Sequence, residues 1–156
     1  MTSYDRLRVL FPDHLGLARG KYLPWRIADH GTAFCIGTYI LDYVRNMHEV
    51  DVGVDITGLP DLDATYSLHD VRPCWDARTG VVVADLEFRG EPYAVSARHA
   101  LRTAIAEWKA LGYEPKVGIE LEAYVFESDG AGGWQPHATP SAYVYGTGVM
   151  AAPNSL

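Results

Sequence analysis

Cysteine is scarce in this sequence, and Cys35 and Cys74 are the only two among its 156 residues. Two cysteines without a Cys-x-x-Cys spacing are too few for the disulfide framework of a small secreted domain. A reducing compartment is therefore favoured. The sequence also lacks an apolar N-terminal signal region and any apolar run long enough to cross a bilayer. We expect a cytoplasmic protein without a membrane partner.

Basic residues are fewer than acidic residues in this sequence. The chain has 13 Lys and Arg residues against 20 Asp and Glu residues, which gives a net charge of −7. No basic stripe is present to neutralise a phosphate backbone, so we expect no nucleic-acid partner. A nucleotide substrate remains compatible with this charge, because its phosphates usually arrive with a divalent cation. Hydrophobic residues make up 48% of the chain, which is enough for a folded core.

The N-terminal part of the chain has the pattern of a β-rich domain. Residues 5–11 and 18–23 are strand-like and are joined by a Pro-Asp-His-Leu-Gly turn, which predicts a hairpin. Residues 62–70 and 81–88 predict two further strands. Residues 51–62 contain several Asp, Gly and Pro residues and predict a loop. A long loop in a compact domain more often has a function than not.

The clearest helical pattern covers residues 97–111, with Ser96 as the predicted N-cap and Gly112 as the residue that ends the helix. Residues 116–127 then alternate strictly between two faces, which predicts a strand. Short strands, a helix and another strand together predict an α+β fold, with a boundary just before the helix.

Glu120 and Glu122 are the first candidates for chemistry. Residues two apart in a strand share a face, with α-carbons roughly 6.5 to 7 Å apart. Carboxylates that close repel each other unless one is protonated or a divalent cation lies between them. The alternative is the solvated polar face of a half-buried strand, which is the more usual place for charge. Tyr124 and Phe126 share this face, so it is not a plainly solvated one.

The run from Lys116 to Phe126 resembles the signature of the glutamine synthetase family. In that family a Gly-x-Glu-x-Glu-aromatic strand follows a helix and opens the catalytic domain. Other segments agree with the family in order and spacing: Val9 to Phe11 with Asp13, Gly16, Arg19, Gly20 and Lys21; Leu59 to Leu62 with Thr65; and Gly90 to Pro92 before Arg98. The similarity covers roughly the first 127 residues.

The resemblance implies a β-grasp-like domain over residues 1–96 and the beginning of a glutamine synthetase-type catalytic domain over residues 97–156. It implies that Glu120 and Glu122 are first ligands of two divalent ions, Mg²⁺ or Mn²⁺. One ion would help to position ATP, and the other would organise glutamate and the γ-glutamyl phosphate intermediate. The implied activity is ATP-dependent ligation of glutamate to an amine nitrogen. Family members assemble as large rings, so a homo-oligomer is expected.

One departure from the family pattern concerns the amine. Glutamine synthetases carry an Asp-Gly-Ser-Ser segment whose aspartate reaches the neighbouring subunit's site and helps to bind ammonium. Here the matching stretch runs from Phe34 to Tyr39, and Cys35 or Ile36 stands where the acid should be. This points to the branch that joins glutamate to organic amines or polyamines. Asp42 would compensate if the loop ran differently, and the predicted neighbour-facing residues are Gly37, Thr38, Tyr39 and Asp42.

A second departure is larger, because the family's other metal ligands and its ATP and substrate residues lie beyond residue 156. We therefore expect no complete site in this chain, and an exposed apolar face on the helix and strand that the missing barrel would cover. An alternative reading is a non-catalytic interaction or regulatory module built on the small domain. Such a module would need neither Glu120 nor Glu122.

Other candidates carry weaker signals. We expect Lys21 to be a charge at the end of a strand rather than an anion site. We expect Trp75 and Asp76 to lie in a packed corner of the small domain, or alternatively to contact the site of a partner subunit. The Gly-x-Gly-x-x-Ala match at residues 146–151 lacks a following helix and acidic residue. The histidines show no metal-ligand spacing and predict structural or surface roles; they are His14, His30, His48, His69, His99 and His137.

Overall fold

The computed structural model describes residues 4–122 and 125–137. The chain divides into two compact units, Met1–Pro115 and Lys116–Leu156. In the first unit, the described residues form the strands β1 (Arg6–Pro12), β2 (Ala18–Pro24), β3 (Thr32–Cys35), β4 (Asp61–Thr65), β5 (Arg72–Pro73), β6 (Thr79–Val83), β7 (Asp85–Phe88) and β8 (Glu91–Pro92) and the helix α1 (Ala97–Ala110). Short 3₁₀ segments lie at Trp25–His30, Ile36–Ile40 and Leu68–Asp70.

The first unit is built from two four-stranded sheets. The first sheet has the order β2-β1-β6-β5, with β1 antiparallel to β2 and parallel to β6. The second sheet has the order β3-β4-β7-β8 and is antiparallel throughout. Mixed sheets with one α-helix in the described residues agree with the predicted α+β fold.

The core of the first unit lies between the two sheets, and buried and less buried side chains alternate along β1. Leu7, Val9 and Phe11 of β1 are 0%, 0% and 1% exposed. Because side chains alternate along a strand, the residues between them point to the other face. The second sheet supplies Leu62, Ala64 and Leu86 to the same core cluster. Each large apolar side chain buried in this way contributes about 1.5–3 kcal/mol to stability.

Residues 81–88, predicted as one strand, form two strands in different sheets. The change of sheet occurs at Ala84, which is 1% exposed and whose N–H donates to the carbonyl of Leu10 at 2.7 Å. A continuous apolar run therefore marks a buried crossing between sheets, which sequence alone does not separate from a single strand.

The predicted hairpin is confirmed by β1 and β2, and the predicted helix is confirmed by α1. The helix begins after Ser96 without a side-chain cap hydrogen bond, and Gly112 follows its end with φ of +85°. The strand predicted over residues 62–70 ends earlier, at Thr65. There the Ser67 hydroxyl accepts the His69 N–H at 3.2 Å and turns the chain into a 3₁₀ segment.

The strand predicted over residues 116–127 is wrong for residues 116–122, which have no regular secondary structure. A strand needs a neighbour for its backbone N–H and C=O groups, and no described residue pairs with this segment. Regular structure resumes at β9 (Phe126–Ser128), which pairs with β10 (Trp134–Pro136) in the second unit. Residues 123 and 124 lie outside the described residues.

Helix α1 is grouped with the first unit, whereas the sequence places a domain boundary before it, at residues 96/97. That boundary stays a prediction. None of the helices in residues 4–122 and 125–137 has the length and apolar character that a membrane crossing requires.

The predicted loop is confirmed over residues 51–60, which contain no helix or strand. Tyr93 forms a hydrogen bond to this loop. Its hydroxyl donates to the carbonyl of Val52 at 3.0 Å, and both residues are buried. Burial raises the pKa of Tyr93 to about 12. We expect Tyr93→Phe to leave the Val52 carbonyl without its donor and to lower the free energy of unfolding by about 1–2 kcal/mol in urea denaturation. Tyr113→Phe, at an exposed tyrosine, is the control, and equal stability of the two variants would contradict this role.

Candidate functional site

Glu120 and Glu122 lie in the open segment that precedes β9. Both are exposed, and in the described residues neither makes a side-chain hydrogen bond or an ion pair. The apolar residues that alternate with them are also exposed: Val117, Ile119 and Leu121 are 84%, 85% and 92% exposed. The two faces of the alternating segment are therefore both uncovered. This agrees with the expected exposed apolar face. That Glu120 and Glu122 are first ligands, one for each of two divalent ions, stays a prediction.

The donor chemistry of this pair fits a hard divalent cation, because Mg²⁺ and Mn²⁺ prefer carboxylate oxygens. The ligand set is incomplete within residues 4–122 and 125–137, where no group of three or more His, Cys, Asp or Glu side chains is arranged to hold a metal ion. Glu120 and Glu122 would therefore be two ligands of a larger set.

The predicted neighbour-facing loop begins where β3 ends. Cys35 is exposed, and its sulfur accepts the Gly37 N–H at 3.4 Å and lies 3.7 Å from the carbonyl oxygen of Leu59. Thr38 donates its hydroxyl to the Cys35 carbonyl at 2.9 Å. These contacts close the tight turn into the 3₁₀ segment. Of the two residues at the predicted position of the family's acid, Cys35 is exposed and Ile36 is 0% exposed.

Two of the predicted loop residues are buried. Gly37 is buried, and Tyr39 is 2% exposed. The Tyr39 ring contacts Phe11 and Tyr93, with centroids 6.3 and 5.0 Å away. Burial raises the pKa of Tyr39 to about 12, so the phenol stays protonated. Tyr39 therefore connects this loop to the core of the first unit.

Asp42 uses both of its carboxylate oxygens inside its own loop. One oxygen accepts the N–H groups of Val44 and Asn46 at 2.9 and 2.8 Å. The other accepts from the Asn46 amide at 3.1 Å and lies 2.9 Å from Nε2 of His48. The hydrogen bond from His48, followed by that from the Asn46 backbone, lowers the pKa of Asp42 to about 2. A role for Asp42 as a free acid would require these bonds to open.

The hairpin residues in the family resemblance hold the turn between β1 and β2. Asp13 is 1% exposed and accepts the N–H groups of Leu15 and Leu17 at 2.9 and 2.8 Å. Arg19 donates to its other oxygen at 2.7 Å. Burial by itself would raise the pKa of Asp13, but the hydrogen bonds from Arg19, Leu17 and Leu15 outweigh it and lower the pKa. Asp13 and Arg19 are thus structural.

The structure also places the weaker candidates. Trp75 is 80% exposed, so its interpretation as part of a packed corner is wrong. Lys21 donates to the carbonyl of Ala33 and lies 5.0 Å from the centroid of the Phe34 ring. The glycine motif at residues 146–151 lies outside the described residues.

Comparison with known proteins gives two sequence relatives and several structural ones. The chain is 30% identical over 158 residues to glutamine synthetase of Halobacterium salinarum, a match that covers 97% of this chain and 32% of the relative. It is 30% identical over 162 residues to γ-glutamylanilide synthase of an Acinetobacter species, with 86% and 32% covered. The chain thus spans 32% of the length of these curated relatives. No family model matches the chain.

Solved structures show the same fold. A GmaS–ADP complex superposes with a TM-score of 0.56 at 23% identity, covering 70% of this chain and 24% of that chain. GmaS without ligand gives 0.53 at 26% identity, with 69% and 24% covered. A glutamine synthase homologue gives 0.56 at 17% identity, with 71% and 28% covered.

Both sequence relatives carry the names of glutamine synthetase-type enzymes. The chain belongs to the glutamine synthetase family, which confirms the family resemblance.

Proposed function

We propose that this chain is part of an ATP-dependent ligase that joins the γ-carboxylate of glutamate to an amine nitrogen through γ-glutamyl phosphate. The observation that carries the proposal is the glutamine synthetase match, which extends over 97% of the chain. The domain limits of the proposal are a β-grasp-like domain over residues 1–96 and the beginning of the catalytic domain over residues 97–156. The full-length parent would be a cytoplasmic homo-oligomer, assembled as a ring.

The proposed reaction has two steps. An oxygen of the glutamate γ-carboxylate attacks the γ-phosphorus of ATP, and ADP leaves. The amine nitrogen then attacks the γ-carbonyl carbon, loses a proton, and phosphate leaves with the oxygen that came from the carboxylate. Divalent ions, when bound, would supply charge neutralisation for the phosphoryl group. Glu120 and Glu122 would each contribute a carboxylate to hold them.

An organic amine is the proposed nucleophile. Ammonium is a cation, and the family resemblance implies that its recognition uses an acid at the position where Cys35 or Ile36 stands. Between Phe34 and Asp42 the only carboxylate is that of Asp42, whose oxygens are already hydrogen-bonded within the loop. An aromatic amine such as aniline is uncharged at neutral pH and needs no such anion, whereas alkylamines are cations as ammonium is. The relative named γ-glutamylanilide synthase supports this choice.

The test is an amine panel with the product of the complete reading frame. Glutamate, ATP and Mg²⁺ or Mn²⁺ are supplied with ammonia, methylamine, aniline or putrescine, and γ-glutamyl amides are detected by mass spectrometry. The proposal predicts that an organic amine gives more product than ammonia. Glutamine as the sole product would overturn the amine assignment, and the absence of every γ-glutamyl product would overturn the ligase.

The Cys35→Asp variant tests whether an acid in this loop favours ammonia over an organic amine. Restoring an acid at this exposed position is expected to raise ammonia use relative to the best organic amine by about tenfold, since a charge pair in a partly desolvated site is worth about 1.4 kcal/mol or more. Cys35→Asn, which has the same size without the charge, is the matched control. An unchanged ammonia-to-amine ratio in Cys35→Asp would show that residue 35 does not face the amine.

A non-catalytic module is the second candidate. It is favoured by the fact that the first unit encloses its own core, whereas Glu120 and Glu122 lie in the other unit. The amine panel separates the two candidates, because a module gives no γ-glutamyl product.

A further inference from the structure

A cavity in the first unit is lined by helix α1 and by strands of the second sheet. Its volume is about 550 Å³, which is within the range of small-molecule sites. Its lining includes polar side chains from both elements: Thr65 and Glu87 from the sheet, and His99, Arg102 and Thr103 from the helix. A cavity on which a few polar side chains converge is a candidate binding site.

The helix side of the cavity carries an excess positive charge. Arg98 donates from Nε to one oxygen of Asp85 at 2.7 Å, and Arg102 donates to the other oxygen. Because one carboxylate is shared by two guanidinium groups, one positive charge is left without a counterpart. In the described part of the chain the Arg102 side chain bonds only to Asp85, so its remaining N–H groups can donate to a ligand.

The sheet side of the cavity carries an excess negative charge. One oxygen of Glu87 accepts the Thr65 hydroxyl at 3.2 Å. Within residues 4–122 and 125–137 no Lys, Arg or His side chain forms an ion pair with Glu87. Asp63 of β4 lies directly opposite Glu87, and like charges in such positions destabilise a sheet. A cation bound at Glu87 would relieve this repulsion.

The presence of both charges favours a ligand that carries both. An anion would pair with Arg102 but be repelled by Glu87, and a cation would meet the reverse arrangement. Asp85, which binds Arg102, and Glu87 are two residues apart in β7, so their α-carbons are roughly 6.5 to 7 Å apart. Charge-assisted hydrogen bonds take up about 2.7–2.9 Å at each side. The ammonium and carboxylate groups of the ligand must therefore be close together.

We propose that this cavity binds a free α-amino acid, whose ammonium and carboxylate groups are attached to the same carbon. The carboxylate accepts hydrogen bonds from Arg102, and the ammonium donates to Glu87. Pro92 and Ala106 also line the cavity and offer apolar surface to an aliphatic side chain. The binding does not require the ligase activity, so the two proposals can fail separately.

The first test removes groups from the ligand. L-leucine and three analogues are titrated into the product of the complete reading frame by isothermal titration calorimetry. The analogue 4-methylpentanoate lacks the ammonium group, 3-methylbutylamine lacks the carboxylate, and 6-aminohexanoate is an isomer of leucine with its charges far apart. We expect leucine to bind and each analogue to bind about tenfold more weakly or worse. No leucine binding, or an analogue that binds as tightly as leucine, would overturn the proposal.

Variants of the cavity then locate the binding. Glu87→Gln and Arg102→Gln each remove one charge, and each is expected to weaken leucine binding about tenfold or more. Glu87→Gln is also expected to bring the affinities of leucine and 4-methylpentanoate together, because the ammonium group has then lost its partner. The control is Glu107→Gln, at an exposed site on α1 outside the cavity lining, and it is expected to bind leucine like the unaltered protein.

Thermal unfolding verifies that each variant is folded, and Arg98 still pairs with Asp85 in the Arg102→Gln protein. Leucine bound elsewhere in the protein would be insensitive to both cavity variants, and that result would overturn the proposal. A Glu107→Gln protein with the same loss as Glu87→Gln would overturn it as well. If a cavity variant does not fold, the analogue series on the unaltered protein decides.

Discussion

Glu120→Gln and Glu122→Gln are each expected to lower ADP formation by the full-length parent by about 100-fold or more. Glutamine keeps the size of the side chain and one oxygen but removes the negative charge that a hard cation prefers. Metal-ion stabilisation of transition-state charge is worth several kcal/mol, and every 1.36 kcal/mol is tenfold in rate. Both side chains are exposed and make no hydrogen bond in the described residues, so folding is not expected to change.

The matched control is Glu114→Gln, which changes an exposed glutamate six residues before Glu120. Each rate is measured as a function of Mn²⁺ concentration in the presence of glutamate and an amine. Loss of a ligand is expected to shift the response to higher Mn²⁺ in the two site variants and to leave the control unchanged. Full activity in both Glu120→Gln and Glu122→Gln would remove these residues from the site.

Gly20→Ala is expected to lower the free energy of unfolding by about 3 kcal/mol, at the upper end of the usual cost of overpacking. A β-carbon at Gly20 would overlap the carbonyl oxygen of Val9 and lie 2.7 Å from a methyl carbon of Leu10. The Val9 carbonyl belongs to the central strand β1 and cannot move without disturbing both neighbouring strands. The backbone of β1 or β2 must therefore shift to accommodate the methyl group.

Gly118→Ala is the control for this variant, because nothing lies within 4 Å of the added β-carbon and the stability change is expected to stay within about 0.5 kcal/mol. Urea denaturation monitored by circular dichroism measures both variants. A Gly20→Ala protein as stable as the unaltered chain would contradict the register of β1 and β2, in which Gly20 lies opposite Leu10.

Local patterns predicted the elements whose partners are close in sequence. The hairpin of β1 and β2 needs only its own turn, where the Asp13 side chain accepts two backbone N–H groups. Helix α1 satisfies its own backbone, so its spacing and Gly112 were sufficient. The segment 116–122 alternates as strictly as β1 does. A strand, however, needs hydrogen-bond partners, and these are absent among the described residues.

Candidate site residues could likewise be proposed from local sequence patterns, whereas their contacts with distant parts of the chain could not be predicted. Glu120 and Glu122 were proposed as metal ligands from their spacing and from the family resemblance. Both lie outside the buried core of the first unit. The inward orientation of Tyr39 depends on its contacts with Phe11 and Tyr93, which come from distant parts of the chain. The internal bonding of Asp42 had a signal in the sequence, since Asp and Asn side chains commonly bind backbone groups in turns. The guanidinium carbon of Arg8 lies 4.5 Å from the ring centroid of Trp75, and this contact between different elements had no signal in the sequence.

The most direct test of the proposed ligation follows one oxygen atom. Glutamate labelled with ¹⁸O in its γ-carboxylate is supplied to the full-length parent with ATP, a divalent cation and the best amine of the panel, and the released phosphate is analysed by mass spectrometry. Formation of γ-glutamyl phosphate predicts phosphate that carries one ¹⁸O atom for each amide formed. Amide formation with unlabelled phosphate would contradict an acyl-phosphate route and the function proposed for this chain.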